Sequence, residues 1–270
     1  MASLADDVGG LTIPGVDTLC GRPMFAAFWA IFGLLEIIVW GALVTPLIVP
    51  FIVLPRGKRE RFSVLGAQVF GWLCTYVTLM GRTTILGREN LPKKRGYLVI
   101  SNHRSWGDVG LLIWVTASQG ISKKEVAYVP FFGFTGWVSG VIFFDRNKKE
   151  SRQAVVTEAI DMMTKGANLH VFPEGTRTRD GRINPKVYLK LVQACWENGI
   201  DVVPAAVWNT EQGVRAQGIH ALPFQKFGVE LAKPLDRSAF SSAEAYAEAS
   251  WAKVVEMATA HGANEPFYWA

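Results

Sequence analysis

Apolar and polar positions divide the chain near residue 82. From Met24 to Leu54 the sequence is almost continuously apolar, interrupted by Glu36 and punctuated by Pro46 and Pro50. About 31 residues at 1.5 Å each exceed the thickness of a bilayer core. Glu36 near the middle argues for a helix partly covered by protein or lying at modest depth. The prolines allow a re-entrant bend, and a buried core helix is the alternative. A second apolar stretch, Phe62 to Met80, reads as an interfacial helix docking on the first. Beyond Arg82 short apolar runs alternate with amphipathic segments. Strands are expected at Thr83–Leu86, Tyr97–Ser101, Val126–Val129, Val141–Phe144, Asn168–Phe172, Val202–Val207 and Phe227–Ala232. Helices are expected at Val109–Thr116, Ser151–Lys165, Lys186–Asn198 and Ala243–His261. This alternation predicts an α/β fold, a mostly parallel sheet wrapped by helices, with an N-terminal membrane-attaching helical region. The expected division is 1–81 for that region and 82–270 for the sheet domain. Ligands of such sheets collect beyond the carboxyl ends of the strands.

Composition narrows the class. Half the residues are apolar, with 10 Trp and 16 Phe, and the mean hydropathy is +0.19. That is oily for a soluble protein and modest for one with many spans, so attachment to one membrane leaflet fits best. A net charge of +5 suits an anionic membrane surface and phosphorylated or CoA-linked substrates. Nucleic acid is the competing partner of a basic chain, and no nucleic-acid motif is present. The cluster Arg56-Gly57-Lys58-Arg59-Glu60-Arg61 belongs at a cytoplasmic headgroup layer. Residues 1–22 carry Asp6, Asp7 and Asp17 against a single base, Arg22, which argues against a secretory signal. Cys20, Cys74 and Cys195 sit in apolar contexts and read as reduced, buried thiols.

The chemistry gathers after the second expected strand, at Asn102-His103-Arg104-Ser105-Trp106-Gly107-Asp108. Four residues separate His103 from Asp108, so the two can fold back on each other. The carboxylate then orients the imidazole and strengthens it as a base. No Ser or Cys nucleophile is placed beside the pair, so the hydroxyl it activates can belong to a substrate. Taken alone, a loop held together for structural reasons accounts for this spacing better than catalysis does.

Two further blocks change that balance: Gly140-Val141-Ile142-Phe143-Phe144-Asp145-Arg146 and Phe172-Pro173-Glu174-Gly175-Thr176-Arg177. An apolar strand with a proline follows, Val202-Val203-Pro204-Ala205-Ala206-Val207. In this order the blocks resemble the glycerolipid acyltransferase family, typified by 1-acylglycerol-3-phosphate acyltransferase. The resemblance covers residues 82 to 235 and implies a membrane-bound O-acyltransferase of phospholipid biosynthesis. The expected acceptor is a lysophospholipid, foremost 1-acylglycerol-3-phosphate (lysophosphatidic acid) giving phosphatidic acid. The expected donor is acyl-CoA or acyl-carrier protein, with no cofactor, metal or nucleic acid. It further implies His103 as base and Asp108 as its partner. Arg146 and Arg177 are the implied phosphate ligands, with Glu174 and Gly175 shaping the acceptor site. The implied location is a membrane, with the catalytic domain on the cytoplasmic face. Gly107 replaces the bulky apolar residue usual before the Asp, and Ile183-Asn184-Pro185-Lys186-Val187 departs from the family's Phe-Lys-x-Gly pattern. An acyltransferase for another lyso-lipid, such as a lyso-aminolipid, or a thioesterase using the same His–Asp pair are the alternatives.

The remaining reactive residues read as bland. His170 is expected to pack within its strand, and Cys195 within a helix. His220 and His261 have no second ligand at metal spacing. Lys123, Lys124, Lys148 and Lys149 form a solvated face, or one that meets a carrier's phosphates. Pro130-Phe131-Phe132-Gly133-Phe134 is either a core loop or part of the acyl site.

Overall fold

Seven short strands carry the apolar runs: β1 (Arg82–Leu86), β2 (Leu98–Ser101), β3 (Gln119–Lys123), β4 (Ile142–Phe144), β5 (Leu169–Val171), β6 (Val202–Trp208) and β7 (Lys226–Leu231). The computed structural model describes residues 23–55, 58–78, 81–128, 132–145, 147–215 and 221–267. The strands form one sheet in the order β1-β7-β6-β2-β5-β3-β4. Every pairing is parallel except β6 with β7. The fold is therefore α/β with a mostly parallel sheet.

Alternation along the central strands builds a core on each face. Leu98 and Ile100 of β2, with Leu169 and Val202, face one way. There they meet Met162 and Met163 of helix α5 (Lys149–Thr164), Val192 and Cys195 of α6 (Lys190–Glu197), and Tyr246 and Val254 of α8 (Ala243–Ala260). Val99 and Val203 face the other way, onto Leu111, Leu112 and Val115 of α3 (Gly107–Thr116). Covering both faces of a parallel sheet is what its continuous apolar strands require.

The N-terminal region adds α1 (Pro23–Ile48) and α2 (Lys58–Trp72). Apolar helical chain from Met24 to Val53 is long enough to cross a membrane, and only 24% of an 18-residue apolar stretch within it is buried. That weighs against a buried core helix. Phe28, Leu34, Leu35 and Leu43 of α1 and Phe62, Leu65 and Val69 of α2 are exposed. Two glycines let α2 approach its neighbours: a Cβ on Gly66 would stand 2.3 Å from Ile48 of α1, and one on Gly71 would stand 2.5 Å from the Gly110 carbonyl of α3. Arg56 and Gly57 of the basic cluster lie outside the described residues, as do Cys20, Pro130, Phe131 and His220.

Three expectations need correction. Residues 126–128 belong to a 3₁₀ turn, Lys124–Tyr128, and the strand precedes it as β3. The sequence Gln-Gly-Ile-Ser-Lys hides that strand because Gly120 lies against the His170 ring, where a Cβ would come within 3.0 Å of Nε2. The helix expected from Lys186 begins at Lys190. The Tyr188 amide instead bonds the Pro173 carbonyl at 2.8 Å, tying that stretch to the loop after β5. Finally, α4 (Phe132–Ser139) and the one-turn α7 (Thr210–Gly213) form where no helix was expected.

Candidate active site

Five mutually parallel strands, β6, β2, β5, β3 and β4, end on the same side, and the loops after β2, β5 and β6 meet there. Asn102 closes the first of these onto β6. Its amide donates to the Val207 carbonyl at 2.9 Å, and its carbonyl accepts from the Val207 N–H at 2.8 Å. The chain then turns, and α3 begins at Gly107, placing Asp108 in the first helical turn. There the carboxylate meets free backbone N–H groups.

Asp108 is fully buried. Its Oδ2 accepts from the Arg104 amide at 2.6 Å, the Ser105 amide at 2.8 Å and His103 Nδ1 at 2.8 Å. Its Oδ1 accepts from the Thr210 hydroxyl. A carboxylate held as an acceptor by two amides fixes Nδ1 as the protonated nitrogen of His103. Nε2 is left with the basic lone pair, and 13% of the His103 side chain stays exposed.

The loop after β5 supplies the second wall. The Phe172 ring stacks on His103, centroids 3.8 Å apart and planes 12° apart. Beneath it His170 is buried, its Nδ1 bonded to Ser118 at 3.0 Å, and burial pushes its imidazole down to about 4. Glu174 reaches across the sheet: Oε1 accepts from the His103 amide at 2.7 Å, and Oε2 from the Asn184 amide at 2.9 Å. Burial raises this carboxyl to about 7, against the lowering effect of those two amides. Gly175 turns the chain with φ +66°, a conformation that favours glycine. Arg177 lies over the Trp106 ring at 4.1 Å. Its Nη1 is buried and has no hydrogen-bond partner among the described residues. Desolvation lowers its pKa, with Asp108 acting in the opposite sense.

The structure thus brings His103, Asp108 and Glu174 into one bonded network, with Gly175 and Arg177 on its rim. Arg146 lies outside the described residues. Both Glu174 oxygens bind backbone, so this side chain ties the loops together. Three contributors escaped the sequence reading: Phe172 as a stacking plate, Thr210, and the buried pair of Arg104 with Glu211. Arg104 Nε and Nη2 grip the two Glu211 oxygens at 2.8 and 3.0 Å. Phe172 and Arg104 stand inside two of the quoted blocks, which specified neither a stack nor an ion pair. Cys195 is buried, which pushes its thiol well above the usual range. Lys124 pairs with Asp145 at 2.7 Å. Among the described residues no group of three or more His, Cys, Asp or Glu side chains can hold a metal ion.

A His–Asp pair at the carboxyl edge of such a sheet, with this order of blocks, defines a class. Residues 82–208, just under half of the chain, match the family described as Acyltransferase. Among its relatives, a chloroplastic 1-acyl-sn-glycerol-3-phosphate acyltransferase of Brassica napus is 31% identical over 163 residues, 60% of this chain and 46% of that protein. The 1-acyl-sn-glycerol-3-phosphate acyltransferase of Saccharomyces cerevisiae is 36% identical over 137 residues, 47% of this chain and 43% of that protein. These matches span about half the length of the curated relatives or less. The crystal structure of the 1-acyl-sn-glycerophosphate (LPA) acyltransferase PlsC from Thermotoga maritima superposes with a TM-score of 0.72. It is 22% identical and is matched over 87% of this chain and 94% of that one, which establishes a shared fold.

Proposed function

We propose that this protein is a membrane-associated O-acyltransferase. It moves a fatty acyl group from a thioester, acyl-CoA or acyl-carrier protein, to the free hydroxyl of a lysophospholipid. The acceptor is 1-acylglycerol-3-phosphate and the product phosphatidic acid. The observation that carries the reading is the 2.8 Å bond from His103 Nδ1 to a buried Asp108, which prepares Nε2 to take a proton. Relatives named 1-acyl-sn-glycerol-3-phosphate acyltransferase support the choice of acceptor. The exposed apolar faces of α1 and α2 support attachment to lipid, and the exposed Lys58 and Arg61 of the basic cluster support a cytoplasmic face.

In this mechanism His103 Nε2 removes the acceptor's hydroxyl proton as its oxygen attacks the thioester carbonyl. Collapse of the tetrahedral intermediate forms the ester and expels the thiolate, which takes the proton back from His103. Asp108 stabilises the transient imidazolium without being protonated. The Gly107 N–H is bonded to Ser105 Oγ at 2.9 Å, so an oxyanion donor near it would have to be another backbone N–H, and Arg177 together with Arg146 binds the acceptor phosphate. The test is mass spectrometry of products from purified protein given labelled acyl-CoA and a panel of lyso-lipids. Labelled phosphatidic acid is expected. Free fatty acid as the sole product would make it a thioesterase, and acylation confined to a lyso-aminolipid would overturn the acceptor.

A further inference from the structure

The carboxylate of Asp108 has two oxygens, and sequence-local groups satisfy only one. Oδ2 is filled by His103 and by the amides of residues 104 and 105. Oδ1 is filled from 102 residues away, by the Thr210 hydroxyl. Asp108 is fully buried and Thr210 is 2% exposed. Without that hydroxyl, half of a buried carboxylate loses its hydrogen-bond donor. The local backbone is shaped to deliver it. Asn209 adopts φ 61°, ψ 3°, a left-handed conformation that Asn tolerates better than most residues. The turn brings Thr210 back over the amino end of α3, where it starts α7. Glu211 then clasps Arg104, the residue whose amide also binds Asp108. Thr210 and Glu211 lie beyond residues 82–208, the part of the chain matched by the family.

We infer that Thr210 is a positioning residue of the active site, fixing the Asp108 carboxylate by its Oδ1 so that Oδ2 alone faces His103. The hydroxyl spreads the carboxylate's charge over two oxygens and holds its plane. This rests on His103 being the base. Removing the donor concentrates charge toward the imidazole, favours the imidazolium and hinders proton uptake from the acceptor. The other charged or titratable groups facing the pair are Arg104, His170, Glu174 and Arg177.

The experiment is the pH profile of kcat for Thr210→Val, an isostere without the hydroxyl, beside Thr210→Ser and His103→Ala, all as full-length protein. Thr210→Val is expected to lose about tenfold in kcat with both KM values within twofold of wild type, and to move the acid limb to higher pH. Thr210→Ser should restore both. Thr210→Cys, with a weak S–H donor, should shift the limb less, and it carries the test if the valine protein does not fold. A wild-type profile for Thr210→Val overturns the inference, as does a loss of rate with the limb unmoved or moved to lower pH. An active His103→Ala protein would instead overturn the proposed mechanism itself.

Discussion

The floor and the rim of the site are built on opposite rules. On the floor, Asp108 is fully buried and accepts from four protein donors, and the His103 ring rests on Phe172. At the rim Trp106 is 56% exposed, and the guanidinium lying on it keeps one buried nitrogen without a partner among the described residues. Groups that do chemistry need one geometry, and the protein satisfies them itself. In the proposed function Arg177 recognises a phosphate, and that role calls for a donor which the protein's own groups leave unsatisfied.

The contrast breaks first, and most widely, at the floor. His103→Ala should lose about 10²–10⁴ in kcat, the usual contribution of a positioned base. Asp108→Asn should be comparably severe, with lipid binding retained in both. Near-wild-type turnover in folded His103→Ala protein would end the mechanism.

Glu174 tests the tie between floor and rim. Its carboxyl stands at about 7 rather than near 4.5, so the folded state holds this proton more tightly than the unfolded one. The resulting stability is complete below about pH 4.5 and is lost as pH rises through about 7. Comparing wild type with Glu174→Gln by urea unfolding, the wild-type advantage should shrink by up to about 3 kcal/mol between pH 4.5 and 8. A constant difference across that range would show that the two amides hold the group ionised throughout.

The rim follows. Arg177→Met should cost the acceptor about 1.5–3 kcal/mol in kcat/KM, roughly ten- to a hundredfold, with the donor's KM much less affected. Lysine should recover part of the loss, keeping charge but not the planar fork. Equal losses for both substrates would make this arginine structural and erase the distinction between rim and floor. The smallest effect belongs to Trp106→Leu. Removing the stacked ring should weaken the acceptor about two- to fivefold, in line with an exposed cation–π contact of about 0.5–1 kcal/mol. Trp106→Phe should restore most of it, as acceptor kinetics in the same assay would reveal.

Legibility in the sequence followed distance along the chain. His103 and Asp108 are close neighbours, and their chemistry makes sense only as a pair. The apolar runs of β2 and β6 announced themselves because both faces are covered. By contrast, Thr210 and Glu211 are ordinary polar residues whose partners lie 102 and 107 positions earlier. β3 was invisible because its small residue answers to a histidine on a neighbouring strand. Helix α6 starts late because a backbone bond from Tyr188 to Pro173 holds its expected first turn elsewhere.

Arg104 also sets an order of events during synthesis. Besides Glu211, it donates from Nη1 to the carbonyls of Gly181 and Ala263, the latter 159 residues downstream, and it lies 5.1 Å from the Phe267 ring centroid. A buried guanidinium is tolerated only once its partners surround it. As the nascent chain leaves the ribosome, the histidine loop appears early, and the partners of its arginine at residues 211 and 263 follow later. The candidate site is thus completed by chain that lies up to 159 residues beyond Arg104. A chain released before residue 263 would carry all four sequence blocks and still lack one partner of Arg104.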